Sequence, residues 1–251
     1  MFPWAKFRRA KGGVKAHVLL DHDDYLPRYV LITEARRSDV KMADAFPLNP
    51  GSVVVMDRGY NDYELFRNWT AQEIYFVTRL KDNAAYAVER ECAVPANRNI
   101  RSDQLIRFTG EKAQKDCPCL LRRVAVWDAV NQREIVLLTN LLEFGSTTIA
   151  AIYKDRWEIE LFFKALKQNL KVKSFVGTSE NALRIQIWTA LIAILLLKWL
   201  HHLSKAKWSL SNLASMLRLN LFTYRDLTAW LDNPFGTPPL LPDAQLSLGL
   251  A

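Results

Sequence analysis

The sequence predicts an α/β fold: a sheet with helices, interrupted by a mostly β insertion and followed by a helical C-terminal part. Three observations predict it. β-branched runs alternate with helical patterns over residues 1–82, short strands with polar turns fill 83–145, and apolar residues recur at helical spacing from 146 onward. The composition agrees, because 251 residues that are 50% hydrophobic and 24% charged suffice for one large domain or two small ones with a real core. Nine glycines and ten prolines are too few for a collagen-like or low-complexity chain, and the apolar content excludes disorder.

In chain order, Val14–Leu20 and Leu26–Ala35 are strands joined by the acidic turn Asp21-His22-Asp23-Asp24, a hairpin signature. A short helix covers Asp39–Phe46. Ser52–Met56 is a continuous apolar run, expected as a central strand buried on both faces, and it ends in Asp57-Arg58-Gly59-Tyr60. Asp62–Gln72 reads as a helix and Glu73–Leu80 as a strand. The insertion carries strands at Ala85–Val94, Gln104–Thr109, Leu120–Val130 and Arg133–Leu142. Ser146-Thr147-Thr148 then caps one long helix reaching from Ile149 to Leu170. A second helix follows Gly177-Thr178-Ser179-Glu180 and ends near Leu203. Leu213, Leu217, Leu227 and Leu231 mark one or two small helices before a Pro-rich tail from Asn233. The divisions are 1–82, 83–145, 146–204 and 205–251.

The chain carries 34 Lys and Arg against 26 Asp and Glu, a formal +8, which favours a polyanionic partner, either nucleic acid or an anionic membrane surface. Residues 146–207 hold ten basic and four acidic side chains, so +6 of the excess has one address. Lys6, Arg8, Arg9, Lys11 and Lys15 form a smaller basic cluster that reads equally as a DNA-facing strand edge or a solvated start. The most apolar stretch, Ile185–Leu197, holds 13 uncharged residues. A membrane span needs about 18–20, so the stretch reads as a helix buried in the core and no membrane is expected as a partner. Cys92, Cys117 and Cys119, an odd count without a signal-peptide pattern, point to a reduced cytosolic setting. Cys117-Pro118-Cys119 lacks the second pair of a zinc site and reads as a loop feature.

Two places carry chemistry. Asp57 ends an apolar strand, where a carboxylate is costly unless it is hydrogen-bonded, paired or bound to a metal. It reads either as a cap for the following turn or as a site residue that Gly59 leaves at the open end of the sheet. The second place is the helix around Glu160. At about 100° per residue, Tyr153, Arg156, Trp157, Glu160, Lys164 and Lys167 share one stripe, while Ile159, Phe162, Phe163, Leu166 and Leu170 form a separate apolar face. A glutamate can hold a divalent metal, arginine and lysine contact phosphates, and tryptophan stacks on a displaced base. The same stripe also reads as a solvated face with ion pairs four residues apart.

Tyr153, Arg156, Glu160 and Lys167 match, position by position, the Tyr-x2-Arg-x3-Glu-x6-Lys signature of DDE transposases of bacterial insertion sequences, in the insertion-sequence-four group. The chain resembles that family over most of its length, including Asp57-Arg58-Gly59-Tyr60 and the Lys-Gly-x-x-Lys-x-His stretch from Lys11 to His17. The resemblance implies an RNase H-like core, a mixed sheet flanked by helices, with the β insertion before the last acid. It implies Asp57 and Glu160 as catalytic, metal-binding acids, and Tyr153, Arg156, Trp157, Lys164 and Lys167 as DNA contacts. It further implies Mg2+, with Mn2+ as substitute and two ions in a complete site. The partners implied are double-stranded DNA, as transposon ends and target, and a second copy in a homodimer, in a bacterial cytoplasm at the nucleoid.

The family's first catalytic aspartate lies upstream of a phenylalanine-proline-tryptophan stretch, and here Phe2-Pro3-Trp4 directly follows Met1. The first strand and its acid are therefore expected to be absent, and Asp21, Asp23 and Asp24 sit in a turn unsuited to replace it. Three readings follow. The first is a transposase that hydrolyses the transposon end and transfers the 3′-OH strand to target DNA. The second is a truncated, inactive relative that binds DNA ends or an intact transposase. The third is a host nuclease, against which the Tyr-Arg-Glu-Lys row argues.

Overall fold

A computed structural model of the chain describes residues 6–8, 11–96, 98–169, 177 and 179–238. Phe2-Pro3-Trp4 and most of the expected tail lie outside the described residues. The chain forms two compact units, Pro3–Glu160 and Leu161–Ala251.

The first unit opens with a small hairpin of β1 (Lys6–Arg8) and β2 (Lys11–Gly12), then the expected antiparallel hairpin of β3 (Val14–Leu20) and β4 (Pro27–Glu34). Its acidic turn is held internally: Asp21 and Asp24 accept from the amides of Asp23 and Leu26, and Arg28 bridges both acids at 2.8 and 3.4 Å. A short helix, α1 (Asp39–Ala43), leads to β5 (Val53–Val55). The crossover α2 (Tyr63–Ala71), capped by Asp62 at 3.0 Å to the Leu65 amide, makes β6 (Tyr75–Arg79) parallel to β5.

The β-rich segment supplies β7 (Tyr86–Glu91), β8 (Ile100–Phe108), α3 (Glu111–Asp116), β9 (Leu121–Asp128) and β10 (Arg133–Thr139). Its strands continue the core sheet, because β10 pairs antiparallel with β6. The result is a mixed six-stranded sheet ordered β5-β6-β10-β9-β8-β7. Alternation along each strand feeds two cores. Phe76 and Leu138 face one side with Phe66 and Trp69 of α2, while Val77 and Leu137 face the other with Ile149 and Tyr153.

Three expectations change. β5 was expected at the centre of the sheet, buried on both faces; it stands at the edge among the described residues, and Val53 is 40% exposed. An apolar triplet reports that a strand packs on a core, and says nothing of how many neighbours it has. The single helix from Ile149 to Leu170 is two, α4 (Ser146–Lys154) and α5 (Trp157–Asn169). Between them the amides of Asp155, Arg156 and Glu158 bond three residues back, at 3.2, 3.2 and 3.0 Å, a tightened turn with no Pro or Gly to announce it.

The third concerns the second unit, which holds α6 (Glu180–Leu203), α7 (Leu210–Leu219) and α8 (Leu227–Asp232), capped by Ser179, Ser209 and Asp226. α6 was expected to be buried, but only one of its faces is: Leu183, Ile187 and Ile194 are buried, while Trp188, Ile192 and Trp199 are exposed. By length and composition α6 is also long and apolar enough to cross a membrane, which the run of 13 residues understated.

Arg122 and Asp103 form a two-pronged ion pair inside the first unit, at 2.8 and 2.6 Å, with Asp103 fully buried. Removing the guanidinium strands a buried carboxylate. Arg122→Met is therefore expected to cost about 3–5 kcal/mol in urea unfolding, and Arg122→Met with Asp103→Leu much less. Equal losses in the single and double variants would remove the pair from this role.

Candidate active site at the carboxyl end of β5

Beyond β5 the chain enters a single 3-10 turn, Arg58–Tyr60. Asp57 is exposed and accepts from the Arg58 amide at 2.6 Å, so its carboxylate caps the turn it precedes. Gly59 contributes no special freedom: its φ lies outside the left-handed region, and a Cβ there would meet nothing within 4 Å. Arg58 pairs with Asp82 at 2.8 Å rather than with Asp57.

The last turn of α4 and the tightened turn after it bring up the second set of residues. Tyr153 is 8% exposed and belongs to the core beneath the sheet. The Arg156 guanidinium lies 5.7 Å from the centre of the Tyr153 ring and donates from Nη1 to Glu160 Oε1 at 2.8 Å. Its Nε is buried and has no hydrogen-bond partner. Burial works against the Arg156 charge, yet Glu160, Tyr153 and Asp57 outweigh it and hold the guanidinium above its ordinary pKa. Burial also pushes up the Tyr153 phenol; Arg156 and Arg79 oppose that rise and Asp57 adds to it. Asp57 thus acts on both residues, and Glu160 joins them through Arg156.

The structure therefore brings Asp57, Tyr153, Arg156 and Glu160 to one corner of the first unit. The predicted stripe is divided by the break between helices: Tyr153 closes α4 and turns inward, Arg156 sits in the turn, and Trp157, Glu160, Lys164 and Lys167 lie on α5, all exposed. Lys164 and Lys167 belong to the second unit.

Sequence reasoning missed the surroundings. A cavity of about 270 Å3 opens beside Asp57, walled by Val18–Leu20 of β3 and Val53–Val55 of β5, with Asp21, His22, Asp155 and Arg156 among its polar lining. His22 Nε2 lies 3.0 Å from Asp155 Oδ2, tying the β3–β4 turn to the turn between α4 and α5. Residues 133 apart in the chain leave no local signal of such a contact.

Asp57 and Glu160 are hard oxygen donors of the kind Mg2+ prefers, and both are open to solvent. Among the described residues, no three His, Cys, Asp or Glu side chains stand close enough to hold a metal ion. Among the described residues the donor set fits a divalent ion in part, with two carboxylates and no third.

A strand-end aspartate, a glutamate reached through an arginine and the mixed sheet behind them meet a matching sequence profile, that of the transposase DDE domain, over residues 3–196. The chain belongs to the transposase DDE domain family. Members of that family generally use divalent metal ions. It is 32% identical over 243 residues to a Sinorhizobium fredii protein named as transposase y4zB, covering 95% of this chain and 67% of the relative. A Geobacillus stearothermophilus protein named as the transposase of insertion sequence element IS5377 is 34% identical over 212 residues, covering 83% and 55%. A Synechocystis protein named for insertion sequence element IS4SA is 34% identical over 156 residues, covering 59% and 41%. The chain thus spans about two fifths to two thirds of the length of these relatives.

Two histidines of the first unit titrate in opposite senses. His17 is buried, and burial lowers its pKa against the pull of Asp39, so its contribution to stability is full above about pH 6.5 and is lost as pH falls. His22 is raised, mainly by Asp155, so its contribution is full below about pH 6.5 and is lost as pH rises through the elevated value. His22→Gln is expected to lower the melting temperature near pH 5.5 and to leave it unchanged near pH 9. A loss of the same size at both values would remove the His22–Asp155 tie.

Proposed function

We propose that the chain performs the chemistry of an insertion-sequence transposase: metal-dependent hydrolysis of a phosphodiester at a transposon end, then attack of the freed 3′-OH on target DNA. The convergence of Asp57, Arg156 and Glu160 at the end of β5 carries this reading. Asp57 and Glu160 would hold Mg2+, or Mn2+ in its place, two ions in a complete site. Bound there, the metal polarises a phosphoryl oxygen and stabilises the attacking and leaving oxygens.

The protein's own groups do the positioning. Arg156 neutralises Glu160 through Nη1 at 2.8 Å, and its buried Nε has no hydrogen-bond partner. An arriving phosphate offers the guanidinium a bidentate partner, and the exchange releases Glu160 for the metal. Trp157, 56% exposed, presents an indole to an unpaired base, and Lys164 and Lys167 contribute exposed ammoniums to the phosphate backbone. The inward-turned Tyr153 serves as the floor under Arg156. Two metal ions need carboxylates from more than one side. β3 and β5 line the cavity beside Asp57, and a further strand entering there with an acid would supply the third ligand. A homodimer acting on double-stranded DNA in the bacterial cytoplasm completes the reading.

That no third acid stands with Asp57 and Glu160 among the described residues favours a second reading, a chain that binds DNA ends or an intact transposase without cutting. The two separate in a nicking assay with labelled end-bearing DNA and Mg2+ or Mn2+. The proposed chemistry requires cleavage that falls to background in Glu160→Ala, at a rate far below that of a three-acid site. Binding with no cleavage in either metal would establish the second reading. Arg156→Ala and Lys167→Ala are each expected to reduce the slope of log K against log salt by about one. Slopes equal to wild type would remove both residues from the phosphates.

A further inference from the structure

Cys117, Pro118 and Cys119 join α3 to β9. Cys117 caps the helix, with its amide bonded to the Ala113 carbonyl at 2.9 Å, and Arg107 holds the Pro118 carbonyl through Nη1. Cys117 is 1% exposed in the core beside α2, while Cys119 packs on the same core and stays partly open to solvent. Two steps along the chain keep their Cα atoms within about 7 Å, and disulfides span about 4.4–6.8 Å.

The two sulfurs are neighbours. The Cys117 thiol donates to the Cys119 sulfur, and the Cys119 amide donates to the Cys117 sulfur. Burial pushes the Cys117 thiol up to about 12, and Cys119 adds to that rise. A thiol held protonated in this way is a poor first nucleophile. Among the described residues no third His, Cys, Asp or Glu stands with the pair to hold a metal ion. Cys119 is the member that a dissolved oxidant can reach.

We infer that Cys117 and Cys119 form a dithiol that closes reversibly to a disulfide, with a small dissolved disulfide such as oxidised glutathione as the oxidant. Cys119 reacts first. Its thiolate attacks one glutathione sulfur, the glutathione S–S bond breaks, and one glutathione leaves and takes up the proton that Cys119 gave up. Cys117 then attacks the Cys119 sulfur of the mixed disulfide, and the second glutathione leaves with the Cys117 proton. The cysteines lose two electrons and the glutathione disulfide gains them. The first step prepares the second. A Cys119 sulfur bonded to glutathione bears no charge to oppose the Cys117 thiolate, while the Cys119 amide and Arg67, which favour that thiolate, remain. A bridge over so short a loop constrains the unfolded chain least, so the pair is a reactive site rather than a staple. This site is independent of the metal chemistry proposed above.

Thiol counting and intact-mass measurement test it, on the folded full chain carrying Cys92→Ser and treated with excess oxidised glutathione. Both remaining thiols are expected to disappear, with a mass lower by about 2 Da, no glutathione retained and both thiols restored by dithiothreitol. Cys117→Ala is expected to stop with one glutathione on Cys119. Cys119→Ser is expected to keep its Cys117 thiol and take up no glutathione. Because Cys119 is partly exposed, this second variant tests the order of attack even where loss of the buried Cys117 side chain prevents folding. Thiols that persist, a mixed disulfide that never closes, or bridges formed only between chains would overturn the proposal. So would glutathione taken up by Cys117 in Cys119→Ser.

Discussion

The arrangement of the first unit depends on one buried guanidinium. Arg122, on β9, gives two N–H groups to Asp103 on β8 and turns Nη1 to the carbonyls of Leu142 and Phe144. Those carbonyls lie in the segment that leaves the sheet and starts α4 at Ser146. A single side chain thus neutralises a fully buried carboxylate and fixes where the helix begins. Everything after that point inherits the position: Ile149 and Tyr153 pack under the sheet, the tightened turn follows, and Arg156 arrives above Tyr153 with Glu160 in reach. Lysine could satisfy Asp103, but its point charge has no fork with which to hold carboxylate and carbonyls together.

The other half of the corner is set by amide and hydroxyl groups at the end of β10. Asn140 accepts from the Phe76 amide at 2.9 Å and donates to the Ile74 carbonyl and the Thr70 hydroxyl, both at 3.0 Å, while Thr139 bonds the Phe76 carbonyl. These bonds pin β6 where the ladder with β10 stops. β5 then takes its register from β6, and the Met56 amide bonds the Val77 carbonyl at 3.1 Å, one residue before Asp57. Asp57 and Glu160 are therefore placed from one sheet by two separate routes. Buried polar groups that are fully satisfied suit this role, because a small shift leaves a donor or acceptor unpaired at a cost of about 1–3 kcal/mol.

What the sequence disclosed follows from which signals are local. The hairpin around Asp21–Asp24, the helix that begins at Asp62 and the strands β6 to β10 arise from neighbours in the chain, and each was legible. The edge position of β5 was not, because Val53–Val55 packs against the same kind of core whether it has one neighbour or two. The break at Asp155–Arg156 was also silent: it is stabilised by a contact with His22, far away in sequence, rather than by Pro or Gly. α6 misled in the opposite way. Its composition announces burial, and a row from Ile185 to Leu203 remains exposed. At the site, the sequence singled out Asp57, Arg156 and Glu160, which the fold brings to one corner, but not the groups around them. The spacing predicted six side chains in one solvent-facing row, and the fold turns Tyr153 inward and joins Glu160 to Arg156.

That last pairing bears on how such a corner can wait for substrate. Glu160 is 46% exposed and Arg156 18%, so their bond is partly screened, and exposed pairs of this kind contribute only about 0–1 kcal/mol. A pair of that strength is weak enough to exchange. In the proposed reading a phosphate would compete well, because it would meet the planar fork with two oxygens where Glu160 uses one. Arg156 is only 18% exposed and its guanidinium lies 5.7 Å from the centre of the Tyr153 ring, so Tyr153 forms a floor beneath it. A lysine at 156 would keep the charge and lose the planar fork on which the proposed two-pronged phosphate contact depends.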